Sequence, residues 1–193
     1  MSSPNAVYER AERVHLISVL SEQACARLIA RGESAEAWEP SPCYSESVEG
    51  FTVDLDYRIS RSVMERDRPD LFSGVRPEME RRFARFIGPD ASPRFILSRF
   101  ELIRYEAGGM FFPHRDSVAS EAWRRYSIVL YLNDAFEAGG TMFPTLQKTL
   151  RPRPGQGILF PSLYLHAAEQ VSSGRKYVMT GYLGDPETAP DWF

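Results

Sequence analysis

The sequence predicts a mainly β chain with flanking helices, an α+β arrangement whose strands form an antiparallel sandwich. An eight-stranded jelly roll is one closed form of such a set. Two observations carry this reading. Clear helical patterns lie before residue 95, and five short β-rich runs follow it. No strand–helix–strand alternation occurs, which argues against a Rossmann-like parallel sheet.

RVHLISV (13–19) reads as a short strand. In SVLSEQACARLIARGE (18–33), Leu20, Ala24, Leu28 and Ile29 share one helical face. Ser21 is placed to cap that helix, Gly32 to end it, and Cys25 to act as a small core residue. WEPSPCYSESVEGF (38–51) has the Ser, Pro and Glu content of a loop, and TVDLDYRISRS (52–62) alternates like a strand. A second helix runs through RPEMERRFARFIGPD (76–90), with Pro77 in its first turn and Met79, Phe83 and Phe86 as its buried stripe. Gly88-Pro89 is its expected stop. The β-rich runs are RFILSRFELIRY, YSIVLYLND, TMFPT, QGILFPS and RKYVMTGYL, separated by Gly, Pro, Asn and Asp. Without an internal repeat or a low-complexity linker, one domain over 1–193 is expected, with helical support over about 1–94 and the β core over about 95–184.

The composition is that of an ordinary globular chain, 43% hydrophobic and 25% charged. A net charge of −3 argues against a general nucleic-acid binder. No apolar run has the length of a membrane span, and the charged start does not read as a secretory signal, so a cytoplasmic location is expected. Two cysteines make neither a disulfide framework nor a four-ligand metal knuckle.

Three histidines and two lysines make each instance informative. In GGMFFPHRDS (108–117), His114 and Asp116 stand two apart. If this is the end of a strand, both side chains project to one face, as two ligands of one metal must. His166, at the end of another β-like run, can supply a second imidazole. Two imidazoles and a carboxylate are the facial triad of non-haem Fe(II) oxygenases. A His-x-Asp pair alone is weak, because short motifs recur by chance. Lys176 strengthens it: ten residues after His166, it shares a strand face with Val178, Thr180 and Tyr182, while Arg175 faces outward. A buried cation beside an iron site suits the far carboxylate of a dicarboxylate cosubstrate. His15, in the first strand, reads as structural.

With these residues assembled, Phe95 to Leu183 resembles the Fe(II)/2-oxoglutarate dioxygenases of the prolyl 4-hydroxylase type. The motifs are RYEAGGMFFPHRD, YSIVLYLNDAFEAGGTMFP, RPGQGILFPS and LHAAEQVSSGRKYVMTGYL. The resemblance implies a double-stranded β-helix, the cupin-like jelly roll. It implies His114, Asp116 and His166 as iron ligands and Lys176 on the distal carboxylate of 2-oxoglutarate. Tyr105 and Thr180 are candidates for the same cosubstrate; Leu130 stands where some relatives carry a second tyrosine, so that role is not transferred. Arg58, Trp123 and Arg124 are candidate substrate contacts. The segments 40–50 and 117–126 are candidate lids. The implied cofactors are Fe(II), 2-oxoglutarate and O2, with ascorbate as a candidate reductant. The implied reaction hydroxylates an unactivated C–H bond and releases succinate and CO2. Because Asp116 is a carboxylate where halogenating relatives carry a small residue, hydroxylation or desaturation is favoured over halogenation. Compact size favours a free amino acid or small metabolite as substrate, with a peptidyl proline the alternative. Nucleic-acid and membrane partners are not expected. Two other classes stay open: a non-catalytic jelly-roll metal module, and a zinc hydrolase using the same three ligands.

Overall fold

A computed structural model describes residues 14–87, 96–118 and 121–184 of the protein. Among the described residues, two antiparallel sheets face one another. The large sheet has the order β1 (His15–Ser18), β13 (Gln156–Pro161), β9 (Arg124–Tyr131), β16 (Lys176–Gly184), β7 (Ile96–Tyr105), β6 (Arg61–Met64), β2 (Glu39–Pro40). The small sheet has the order β12 (Lys148–Leu150), β11 (Thr141–Phe143), β14 (His166–Ala168), β8 (Met110–His114), β5 (Arg58–Ile59). Two further ladders pair β10 (Phe136–Ala138) with β15 (Val171–Gly174) and β3 (Cys43–Ser45) with β4 (Gly50–Thr52). Three helices accompany them: α1 (Glu22–Ser34), α2 (Pro69–Phe72) and α3 (Arg76–Ile87).

The large sheet is covered on both faces, so apolar residues on both sides of its central strands are buried. Alternation sorts their residues into two cores. Leu102, Leu130 and Met179 pack with Cys25 and Leu28 of α1 and with Met79 and Phe83 of α3. Ile103, Val129, Tyr131 and Val178 point the other way, to Phe143, Phe136 and Phe160 in the interior of the sandwich. Each large apolar side chain buried in this way contributes roughly 1.5–3 kcal/mol. Leu130 therefore lies on the helix side, and its neighbour Tyr131 is the residue that enters the interior.

Ser21 caps α1 as expected, its hydroxyl accepting from the Ala24 N–H at 3.2 Å. Gly32 does not end α1, which continues to Ser34. Its missing side chain serves packing instead: a Cβ there would stand 2.6 Å from Leu102 Cδ2 and 3.3 Å from the Trp38 ring. The helix stop at Gly88-Pro89 lies outside the described residues.

The N-terminal segment is more than helical support, because β1, β2, β5 and β6 belong to the two sheets. The strand expected over 52–62 is broken. A turn in which the Tyr57 and Arg58 N–H groups both donate to the Asp54 carbonyl separates β4 from β5. The chain then passes from the small sheet at β5 to the large sheet at β6 across Ser60. That crossing places Arg58 opposite Phe111, at the mouth of the sandwich. No helix among the described residues is long and apolar enough to cross a membrane.

Candidate metal centre

His114 and His166 are direct cross-strand partners on β8 and β14. Their ring centroids are 4.3 Å apart. Strand β8 ends at His114, so Asp116 is not on it; the carboxylate arrives from the following bend. Both the Asp116 and Ser117 N–H groups donate to the Ser162 carbonyl, at 3.0 and 3.1 Å, and this holds the bend against β13. The three donors converge. Asp116 Oδ1 is 3.6 Å from His114 Nε2, Oδ2 is 3.4 Å from His166 Nε2, and all the ligand atoms lie within 4.8 Å of one another.

Each imidazole is oriented by its other nitrogen. His114 Nδ1 is 2.8 Å from the Phe112 carbonyl, and His166 Nδ1 is 3.0 Å from the Tyr164 carbonyl. A carbonyl only accepts, so each Nδ1 carries a proton and each Nε2 is left as the nitrogen that faces Asp116. Burial, together with the nearby His114 ring, lowers His166 to about 4 against the opposing pull of Asp116. Burial alone would raise Asp116, but the two imidazoles and the Arg124 guanidinium outweigh it and hold the carboxyl well below its usual range. At neutral pH His166 is thus a neutral nitrogen donor and Asp116 a carboxylate.

A stability prediction follows from His166. Its folded pKa of about 4 lies below the ordinary value of 6.5. As pH falls between those values the unfolded chain takes up a proton that the folded chain refuses, so stability is lost across that window, by about 3 kcal/mol. Denaturant midpoints of the metal-free protein should drop between pH 6.5 and pH 4, and the drop should be smaller in His166→Gln. Equal slopes in both proteins would contradict the assignment.

The triad lies in a pocket of about 510 Å³, open mouth included, whose wall also carries Lys176, Val178, Thr180 and Tyr182. The alternation expected for β16 is therefore present. Arg175, on the other face, pairs with Glu106 at 2.9 Å. Lys176 is 1% exposed. Its ammonium donates to the Gly139 carbonyl at 2.6 Å and stands 4.9 Å from the Tyr131 ring centre and 5.1 Å from that of Tyr105. Burial lowers its pKa to about 7; Glu169 opposes this and Arg151 adds to it. Among the described residues no carboxylate forms an ion pair with Lys176. A buried cation in that state is costly unless an anion joins it. Thr180 Oγ1, on the same strand face, is buried with no hydrogen-bond partner among the described residues. Tyr105 is 4% exposed, and burial pushes its phenol up against the opposing Arg58 charge.

The donor chemistry thus fits Fe(II) at the triad. The unpaired ammonium and the orphaned hydroxyl on β16 fit the far carboxylate of 2-oxoglutarate.

The expected substrate contacts divide. Arg58 lines the pocket, 5% exposed, with Nη2 on Glu101 Oε1 at 2.9 Å, Nε on Ser60 Oγ and Nη1 on the Pro42 carbonyl. The last bond ties the base of the β3–β4 hairpin, within the expected 40–50 lid, to the pocket wall. Trp123 does not line the pocket. It is 1% exposed, and its indole N–H is directed at Glu121 Oε2. A buried ring with its donor engaged offers substrate no free face. Arg124 stands behind the wall, its guanidinium carbon 3.8 Å from the centre of the Tyr182 ring. Sequence reasoning did not single out Glu101, Tyr131 or Thr141. Tyr131 donates to or accepts from Thr141 Oγ1 at 2.8 Å. For Tyr131, strand alternation on β9 was an available signal, since Leu130 and Tyr131 must face opposite ways.

Residues 100–184 match the model of the 2OG-Fe(II) oxygenase superfamily, a span that holds His114, Asp116, His166 and Lys176. These residues are a 2OG-Fe(II) oxygenase domain. Curated relatives of this chain include a probable prolyl 4-hydroxylase of Arabidopsis thaliana, 28% identical over 60% of the chain and 49% of the relative. A PKHD-type hydroxylase of Synechococcus sp. (strain CC9902) is 38% identical over 42% of the chain and 38% of the relative. The chain thus spans half or less of the length of these relatives. Among solved structures, a Pseudomonas putida prolyl-4-hydroxylase aligns over 93% of this chain and 97% of its own, with TM-score 0.71 and 17% identity. A viral collagen prolyl hydroxylase of Paramecium Bursaria Chlorella virus-1, in complex with 2OG, aligns over 88% and 94%, with TM-score 0.66 and 19% identity. At these identities the likeness establishes the fold, the jelly roll of the 2OG oxygenases.

Proposed function

We propose that this oxygenase is an Fe(II)- and 2-oxoglutarate-dependent hydroxylase of the prolyl type, with one domain over 1–193 and a cytoplasmic location. The observation that carries the reading is the convergence of the facial triad and the unpaired Lys176 ammonium on a single pocket. When bound, the ferrous ion with 2-oxoglutarate and O2 supplies the oxidising chemistry for an unactivated C–H bond, with succinate and CO2 released.

The chain's own part is to bind, orient and exclude water. His114 and His166 offer Nε2, fixed by their Nδ1 hydrogen bonds, and Asp116 offers its carboxylate. Lys176 Nζ, held over Tyr105 and Tyr131, would pair with the distal carboxylate, and the buried, unpartnered Thr180 hydroxyl would donate to it. The two tyrosine rings keep that end dry, which strengthens the ion pair. Arg58 and Glu101 form the polar part of the wall that substrate meets, and Arg124 backs the same wall through Tyr182. Trp123 has no substrate role in this scheme.

The relatives' names favour a peptidyl proline as substrate. The Arg58–Glu101 pair favours a second reading, a free amino acid whose carboxylate and ammonium a fixed acid–base pair suits. Succinate formation should be measured with Fe(II), 2-oxoglutarate and either proline-containing peptides or free amino acids, with products weighed by mass spectrometry. Stimulation together with gain of one oxygen by a peptide supports the prolyl reading. The same result confined to free amino acids supports the second. Succinate release that no member of either panel raises above background would contradict a hydroxylase and favour a non-catalytic metal module.

A further inference from the structure

Glu121 belongs neither to the ligand set nor to the pocket lining. It is nevertheless fully enclosed, with 2% of its side chain exposed. One oxygen, Oε2, is 2.6 Å from Arg124 Nη2, 3.0 Å from Arg99 Nη1 and 3.2 Å from Trp123 Nε1. Arg124 is itself buried, 6% exposed at the side chain, and its other terminal nitrogen, Nη1, donates at 3.3 Å to the backbone carbonyl of Asp116. Its Nε is buried with no partner among the described residues. A fixed cation with donor capacity to spare therefore rests against the backbone of the one metal ligand that carries negative charge.

That position is hazardous for a metal site. A guanidinium is the preferred planar, two-point partner of a carboxylate. Taken by Arg124, the Asp116 oxygens would no longer be available to a cation. Arg124 is attracted instead to Glu121, which engages it from the opposite side. Among the described contacts, Glu121 engages both Arg99 and Arg124, and Arg124 also reaches the backbone of Asp116. Without Glu121, Asp116 is the nearest anion left to Arg124 among these groups.

We propose that Glu121 is a positioning residue that holds Arg124 on the backbone side of Asp116 and so keeps the ligand carboxylate free for metal. The proposal rests on the reading of His114, Asp116 and His166 as ligands.

The test is titration of Co(II) into the metal-stripped full chain, followed by visible absorbance, with thermal unfolding of each metal-free protein in parallel. Glu121→Gln should weaken Co(II) binding by about tenfold or more, the range found when partners of metal ligands are removed. The double variant Glu121→Gln/Arg124→Gln should bind within about twofold of the parent protein, because the competing cation has gone. A merely structural role predicts otherwise: the double variant would bind no better than the single one while unfolding at the same or a lower temperature. That result, or parent-like binding by Glu121→Gln alone, overturns the proposal. If Glu121→Gln does not fold, Glu121→Asp, with the carboxylate withdrawn by one methylene, should show a smaller loss that Arg124→Gln again reverses; parent-like binding by it, or no reversal, overturns the proposal. His166→Ala separates the two levels of inference. If it binds Co(II) as tightly as the parent protein, the ligand assignment fails, whatever Glu121 does.

Discussion

Lys176→Met is expected to raise the 2-oxoglutarate concentration for half-saturation by about two orders of magnitude while leaving metal affinity unchanged. Methionine keeps an unbranched stem between Tyr105 and Tyr131 and removes only the charge. Truncating one partner of a buried, hydrogen-bonded charge pair costs about 2–5 kcal/mol, because the other charge stays buried and unpaired. At 1.4 kcal/mol per tenfold, the middle of that range is a few hundredfold. Part of it is offset, since the parent protein already carries a strained ammonium whose pKa burial has lowered to about 7.

The same shift gives the pH dependence its sign. Lys176 is half protonated near pH 7 in the cosubstrate-free protein, increasingly charged below that pH and increasingly neutral above it. Cosubstrate binding needs the charged form, so affinity should fall as pH rises above about 7, with proton uptake on binding. Isothermal titration in two buffers of different ionisation enthalpy would measure that uptake. Lys176→Met should abolish it; uptake that persists in the variant would assign the proton to another group.

Asp116→Asn is expected to lose metal affinity by about two orders of magnitude or more. Removing a mere partner of a ligand costs about 10–100-fold, and the ligand itself must cost at least as much. The amide is isosteric, so the bend tied to the Ser162 carbonyl should persist. The variant also removes an anion from between two imidazoles and beside Arg124. Metal-free Asp116→Asn should therefore remain folded near neutral pH and fail to bind Co(II) at concentrations that saturate the parent protein. Parent-like binding would place the metal elsewhere.

The parts of the site that the sequence exposed are those written into one strand or one short motif. Lys176, Val178, Thr180 and Tyr182 alternate along β16, so period-two geometry sufficed there. His114 and Asp116 are close because they are two apart, but the bend held by the Ser162 carbonyl, not a shared strand, aims the carboxylate. The partnership of His166 with His114 is a register between β14 and β8, fifty-two positions apart in sequence, and no local pattern encodes it. The scarcity of histidine and the position of His166 at the end of a β-like run made it a candidate, and the resemblance to a family supported the link. Glu121 carried no signal at all, because its role is defined by Arg99, Arg124 and Trp123, which only tertiary packing gathers.

The fold shows the same division. Long central strands such as β7 and β16 are legible as β-rich runs bounded by turn residues. Strand β2 has two residues, too few for a period to register, and it lies with β3 and most of β4 in the segment that reads as a loop. The alternation over 52–62 is legible, but not the crossing at Ser60 that divides it into β5 and β6. Gly32 was misread for a physical reason. Glycine at a helix end and glycine under a close contact look identical in sequence, and only the position of Leu102 distinguishes them.

The central claim is that one pocket holds a ferrous ion by its triad and a dicarboxylic 2-oxo acid by Lys176. Its most direct test is anaerobic visible spectroscopy of the protein with Fe(II) and 2-oxoglutarate. A charge-transfer absorption should develop only when both are present, be absent in Asp116→Asn, and require far more 2-oxoglutarate in Lys176→Met. No absorption at saturating concentrations of both, or an unchanged 2-oxoglutarate titration in Lys176→Met, would contradict it.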